Sequence, residues 1–158
     1  EKLISKIPGK IIDKAAKLIT QISIVKEAMI ACNFKAVNAM HDPTEGGILN
    51  AALEMSEASN KKIVLYPQEI PILEETRTIC RTLNLDPLKL LSSGSLLISV
   101  KKDHAERVAE AIRKNGIPCC VIGKVLKGEG LYIKRENEPP KEVVQPIQDE
   151  LFRLIDLD

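Results

Sequence analysis

One stretch of the chain concentrates residue types that could do chemistry: Met40-His41-Asp42-Pro43-Thr44-Glu45-Gly46-Gly47. His41 beside Asp42 has the makings of an acid–base pair, because imidazole titrates near neutrality and a carboxylate beside it can orient the ring. The same two residues at a strand end can equally be hydrogen-bonded structure. Gly46 and Gly47 follow in what reads as the first turn of a helix, where each costs about 1 kcal/mol against Ala. A cost of that size asks for close approach to the backbone. A neighbouring helix or strand would supply it, and so would a ligand phosphate drawn to free N–H groups and the positive end of the helix dipole. Spacing alone leaves the two open. Ser92-Ser93-Gly94 is a second polar turn, either an anion contact or simply the entry to the next strand.

The same stretch also has a purely structural reading. Asp42 suits an N-cap, Pro43 the first helical position, and Glu45 can reach back to complete a capping box. Such a cap stabilises a helix by about 1 kcal/mol. The elements around it follow from periodicity. Residues 9–19 and 23–33 read as helices, the second capped by Ser23. Residues 36–40 read as a short strand, and the helix after the Gly-Gly pair runs to about Ala58. Residues 61–66 form a strand, and 72–83 an amphipathic helix stopped by Asn84. Asp86-Pro87 starts a single turn, and 95–100 is a strand. A helix opened by an Asp103/Glu106 capping box ends at Asn115-Gly116. Residues 117–122 read as a buried strand, 128–130 as a turn and 131–134 as the return strand. Val143-Val144 adds an edge strand, and Pro146 begins a last helix over 147–155.

This alternation predicts an α/β (α+β) fold, a mixed β-sheet of about four or five strands with packed helices. Ile48, Leu49, Leu53, Ile79, Leu97, Val108, Ile112 and Val121 are the expected core.

Composition narrows the partners. The 158 residues are 44% hydrophobic and 28% charged, enough for a globular core. Lys plus Arg is 23 against 22 for Asp plus Glu, so charge gives no reason to expect nucleic acid or an anionic membrane. Phe34, Tyr66, Tyr132 and Phe152 are the only aromatic residues, too few for a base-stacking platform. No apolar run approaches the roughly 20 residues of a membrane span. Cys32, Cys80, Cys119 and Cys120 show no C-x-x-C spacing, and neither His41 nor His104 joins them. No metal site is expected, and a reducing cytoplasm fits. Cys119-Cys120 could be redox active, or could alternate across a sheet as small hydrophobes. The chain starts mid-pattern without Met, as a fragment of a longer protein would.

The motif series resembles the C-terminal domain of the AIR synthase (PurM) superfamily, and its HypE branch most. His41-Asp42-Pro43-Thr44-Glu45-Gly46-Gly47-Ile48-Leu49 and the helix to Ser59 are similar to the HypE segment Met-His-Asp-Pro-Thr-Arg-Gly-Gly-Leu. Ile22 to Ala28, Glu69-Ile-Pro-Ile72, Leu85-Asp-Pro-Leu88, Gly94-Ser-Leu-Leu-Ile98 and Ile122-Gly-Lys-Val125 follow in the family's order. The likeness covers about residues 20–135 and is far more specific than any one motif.

The resemblance implies that the 158 residues are such a domain, with 1–19 as a helical lead-in. An N-terminal domain, absent here, would carry most ligands for ATP and Mg and form a homodimer. It implies an ATP-dependent role in hydrogenase (metallocentre) maturation, with a maturation protein as partner. It also implies a cleft lined by His41, Asp42, Thr44, Gly46 and Gly47 around a nucleotide or small-molecule substrate, with His41 and Asp42 as the candidate catalytic pair and Glu45, Ser93 and Gly94 as further candidate contacts. The Gly-Gly helix start would then sit at the surface with its N–H groups aimed at that cleft.

Three departures stand out. Glu45 replaces the family's Arg, and Ser93 replaces a Glu. The chain ends Leu154-Ile-Asp-Leu-Asp158, without the terminal Pro-Arg-Ile-Cys. The alternative is a binding or docking module that keeps the fold without the chemistry. With no Gly-Lys-Ser/Thr loop and no carboxylate cluster, the 158 residues alone are expected not to hydrolyse ATP.

Overall fold

The computed structural model describes residues 4–144 and 147–155. Helix α1 spans Gly9–Lys17 and α2 Val25–Cys32. Strand β1 (Val37–His41) leads through a five-residue loop into α3 (Gly47–Ser59). Strand β2 (Lys62–Leu65), helix α4 (Glu74–Leu83), strand β3 (Leu97–Val100) and helix α5 (Ala105–Arg113) follow. Strands β4 (Gly123–Leu126), β5 (Leu131–Ile133) and β6 (Lys141–Glu142) precede a short α6 (Phe152–Ile155). The last helix is shorter than the expected 147–155: residues 147–149 are irregular and α6 begins only at Phe152, while Pro146 and residues 156–158 lie outside the described residues.

The strands form two sheets, a mixed four-stranded one ordered β4-β2-β5-β6 and an antiparallel pair, β1 with β3. The fold class is thus the expected mixed α/β one. Strand β2 is the keystone: Ile63 pairs with Val125 on the antiparallel side and with Leu131 on the parallel side. Its Ile63, Val64 and Leu65 are all buried, as a strand flanked on both edges and covered by a helix requires.

Two apolar clusters hold the elements. Ile48, Leu49 and Leu53 of α3 pack on Ile63, Leu65 and Leu131 of the larger sheet, with Ile70, Leu88 and Leu97. Ala31, Val108 and Ile112 of α2 and α5 pack on Val37, Met40 and Ile98 of the smaller sheet. Successive residues of β3, Leu97 and Ile98, enter different clusters, as the alternation of a strand dictates. The smaller sheet is therefore the wall the two clusters share.

Four expectations need correction. Residues 131–134 do not return against 123–126; β2 lies between β4 and β5. Residues 117–122 are irregular and form no ladder, and Val121 is exposed. Pro118 has no N–H to donate, and pairing starts only where the Tyr66 N–H reaches the Ile122 carbonyl. Ile79 is half-buried, while the other six expected core residues are buried. Val143-Val144 is displaced by β6 two residues earlier, where Tyr132 pairs with Glu142.

Helix ends differ as well. Neither Ser23 nor Asp103 caps a helix through its side chain, and Glu106 pairs with Arg113 instead. Asn84 ends α4 in the left-handed conformation at φ 55°, and Gly116 at φ 79° ends the turn after α5.

Candidate functional site

The chemistry-bearing stretch crosses from the end of β1 to the start of α3. His41 is the last residue of β1, held in register by Leu97 of β3. Its Nε2 lies 2.6 Å from Glu54 Oε2, two turns into α3, and its Nδ1 lies 3.7 Å from Asp42 Oδ1. The ring is 29% exposed and the Glu54 side chain 51%, so solvent reaches both. Asn50, one turn before Glu54, donates from Nδ2 to Glu54 Oε1 and to the Glu45 carbonyl, both at 3.1 Å. A polar chain thus runs from the Glu45 backbone through Asn50 and Glu54 to His41.

Asp42 does not cap a helix. Helix α3 opens at Gly47, five residues later, with Gly46 at φ 74° and Gly47 at φ 60°. Two left-handed residues in succession break the turn that an Asp42 cap would need, and only Gly adopts them without strain. Both glycines are also crowded, Gly47 by backbone and Gly46 chiefly by the Asn50 side chain. A Cβ on Gly47 would stand 2.5 Å from the Leu90 carbonyl oxygen, and one on Gly46 would stand 2.6 Å from Asn50 Cβ.

The expected surface position of this helix start is therefore corrected: Gly46 and Gly47 are buried, and their donors are engaged within the chain. The Gly46 N–H donates to Asp149 Oδ2 at 2.7 Å, the Gly47 N–H to the Thr44 carbonyl at 3.0 Å, and the Leu49 N–H to the Leu88 carbonyl at 3.1 Å. The physical need is the one anticipated, since buried donors at a helix start must find acceptors. The acceptor is a carboxylate from the far end of the chain.

Asp149 is itself buried, and its other oxygen accepts from the Leu151 N–H at 2.8 Å. Beside it an open hollow of about 360 Å³ is lined by Thr44, Glu45, Leu91, Asp149, Leu151 and Phe152. Of the expected site residues only Thr44 and Glu45 reach this hollow. His41 and Asp42 stand with Glu54, joined to it through Asn50. Ser93 and Gly94 form a turn closed by the Ser95 N–H on the Ser92 carbonyl, with Gly94 against Ile22. Sequence reasoning missed Asn50, Glu54 and Asp149. The first two sit one helical turn apart on the polar face of α3, a spacing that could have drawn attention. Asp149 meets Gly46 across 103 residues, and no local pattern signals that.

Among the described residues no three His, Cys, Asp or Glu side chains converge as a metal site. Residues 13–136 match the family model described as AIR synthase related protein, C-terminal domain. The chain belongs to this family. A protein of Methanocaldococcus jannaschii named as a hydrogenase expression/formation protein is 44% identical over 120 residues, 75% of this chain and 36% of that protein. Carbamoyl dehydratase HypE of Azotobacter vinelandii is 32% identical over 103 residues, 64% of this chain and 30% of that one. This AIR synthase-related chain thus spans about a third of the length of the relatives it matches.

Among solved structures, Escherichia coli HypE, a hydrogenase maturation protein, superimposes with a TM-score of 0.72 at 25% identity, over 83% of this chain and 42% of that one. A HypE–HypF complex gives 0.67 at 25% identity over 74% and 39%. HypE in complex with ATP shares the fold at 0.63 and 21% identity over 70% and 36%.

Proposed function

We propose that the chain is the C-terminal part of a HypE-like, ATP-dependent protein of hydrogenase maturation, and that His41 is its acid–base group. The observation that carries the assignment to His41 is its setting. A half-exposed imidazole at a strand end is gripped at one nitrogen by Glu54 and leaves the other open beside Asp42. A positioned imidazole of this kind is built to take and return a proton. The setting in hydrogenase maturation rests on relatives: solved structures hold HypE in complex with HypF and with ATP.

Thr44 and Glu45 then face the nucleotide or small-molecule substrate from the hollow. Gly46 and Gly47 shape the chain behind Thr44 and Glu45, while Ser93 and Gly94 stand apart in their turn against Ile22. Phosphate approach to the Gly46 N–H requires Asp149 to move aside. Among the described residues no three His, Cys, Asp or Glu side chains converge, and the ligands for Mg and the homodimer contact would come from a preceding domain. No helix among the described residues is long and apolar enough to cross a membrane, and a cytoplasmic setting agrees with the four free cysteines.

The test joins the chain to the preceding part of the Methanocaldococcus relative and measures ATP-dependent turnover. His41→Asn should lower kcat by roughly 10²-fold, the usual contribution of a positioned acid–base group. Unchanged turnover would exclude His41.

A docking module without chemistry is the second reading. It is favoured by one observation: the Gly46, Gly47 and Leu49 N–H groups at the start of α3 already donate to the chain's own acceptors.

A further inference from the structure

Resting on the reading of His41 above, we infer that Glu54 is a positioning residue that selects the working nitrogen of His41. An ionised carboxylate accepts hydrogen bonds and donates none. At 2.6 Å from Glu54 Oε2, Nε2 therefore carries the hydrogen. A neutral imidazole has only one, so Nδ1 holds the lone pair.

Nδ1 faces the Asp42 side, where the 3.7 Å gap to Oδ1 is too long for a hydrogen bond and leaves this nitrogen open to a donor. A substrate X–H on that side gives its proton to Nδ1, and its electron pair stays on X. The imidazolium so formed is flanked by the Glu54 and Asp42 carboxylates, which stabilise the new charge.

Glu54 is itself aimed. Asn50 Nδ2 ties its other oxygen to the Glu45 carbonyl, so the helix that begins at Gly47 sets the ring's orientation. The pair is half-exposed, and exposed ion pairs add little to stability. Its value is therefore in the state of the ring, and the loss of Glu54 should leave the fold intact.

The experiment uses ¹⁵N-histidine labelling of the chain, which has two histidines, with a His104→Gln variant to assign the resonances. Neutral His41 should show a protonated Nε2 and a bare Nδ1. Glu54→Leu should mix the two tautomers without changing the thermal midpoint, and Glu54→Gln, whose amide oxygen still accepts, should restore the single form. In the fused protein Glu54→Leu should lower kcat on the order of tenfold with KM unchanged, and Glu54→Gln should recover most of it.

An unchanged tautomer in Glu54→Leu overturns the inference. So does unchanged kcat in Glu54→Leu where His41→Asn lowers it. If neither substitution affects turnover although the tautomer responds, the acid–base reading of His41 is what fails.

Discussion

A methyl group on Gly47 has nowhere to go, because both the Leu88 and Leu90 carbonyl oxygens lie within 2.7 Å of where it would sit. Those are backbone atoms and cannot swing away. At φ 60° a side chain is also strained, so Gly47→Ala should cost about 2–4 kcal/mol from the two effects together. Urea denaturation reads this directly. Gly46→Val should likewise lower the thermal midpoint, because a side chain there meets Asn50 and the Gly46 N–H serves Asp149. A variant with a normal midpoint and lost affinity would restore the ligand-approach reading of the glycines. Asp149→Ala should destabilise by about 1–3 kcal/mol by stranding the buried Gly46 N–H, and Asp149→Asn by less, since an amide oxygen still accepts. The motif announced that something crowds these two glycines. It could not announce all of what, because Asn50 is near in sequence while the Leu88, Leu90 and Ile147 carbonyls lie about 40 and 100 residues downstream.

At the scale of elements, β2 carries the larger sheet, and its neighbours should differ sharply in sensitivity. Leu131 is fully buried between β2 and α3, so Leu131→Ala should cost about 2–5 kcal/mol. Val125, on the outer strand β4, is 48% exposed, and Val125→Ala should stay within about 0.5 kcal/mol. Equal losses in urea denaturation would show that the β4 face is covered. Most elements were legible because their patterns are local: Ile63-Val64-Leu65 as a strand, and α4 with its Asn84 stop. Pairing was not local. The turn at Gly128 to Gly130 suggested a hairpin, but β2 bonds to both sides, and no residue near the turn records that a distant strand intervenes. The 117–122 run misled through its apolar content, which serves the cluster under α5: Ile117 and Cys119 pack there while Val121 faces out.

The whole molecule segregates its reactive groups. Burial pushes the Cys80 and Cys119 thiols up, with Asp86 and Glu150 adding to Cys80 and the neighbouring Cys120 to Cys119. A raised thiol pKa means less thiolate at a given pH. Near pH 8, exposed Cys32 and Cys120 should therefore be alkylated before Cys119, with Cys80 last, an order that mass spectrometry reads. Family membership was legible because the motif series runs in order along the chain. The site was legible only in part: His41 was visible as a residue type, whereas Glu54 and Asn50 look like any polar helix face until the fold brings β1 against α3. The central claim is that these residues are one side of a divided site. The direct measurement is ATP hydrolysis by the 158-residue chain alone and by the same chain joined to the preceding part of its Methanocaldococcus relative. No turnover above background is expected for the chain alone, and turnover dependent on His41 in the joined protein. Hydrolysis by the chain alone, or turnover in the joined protein that ignores His41→Asn, would contradict that claim.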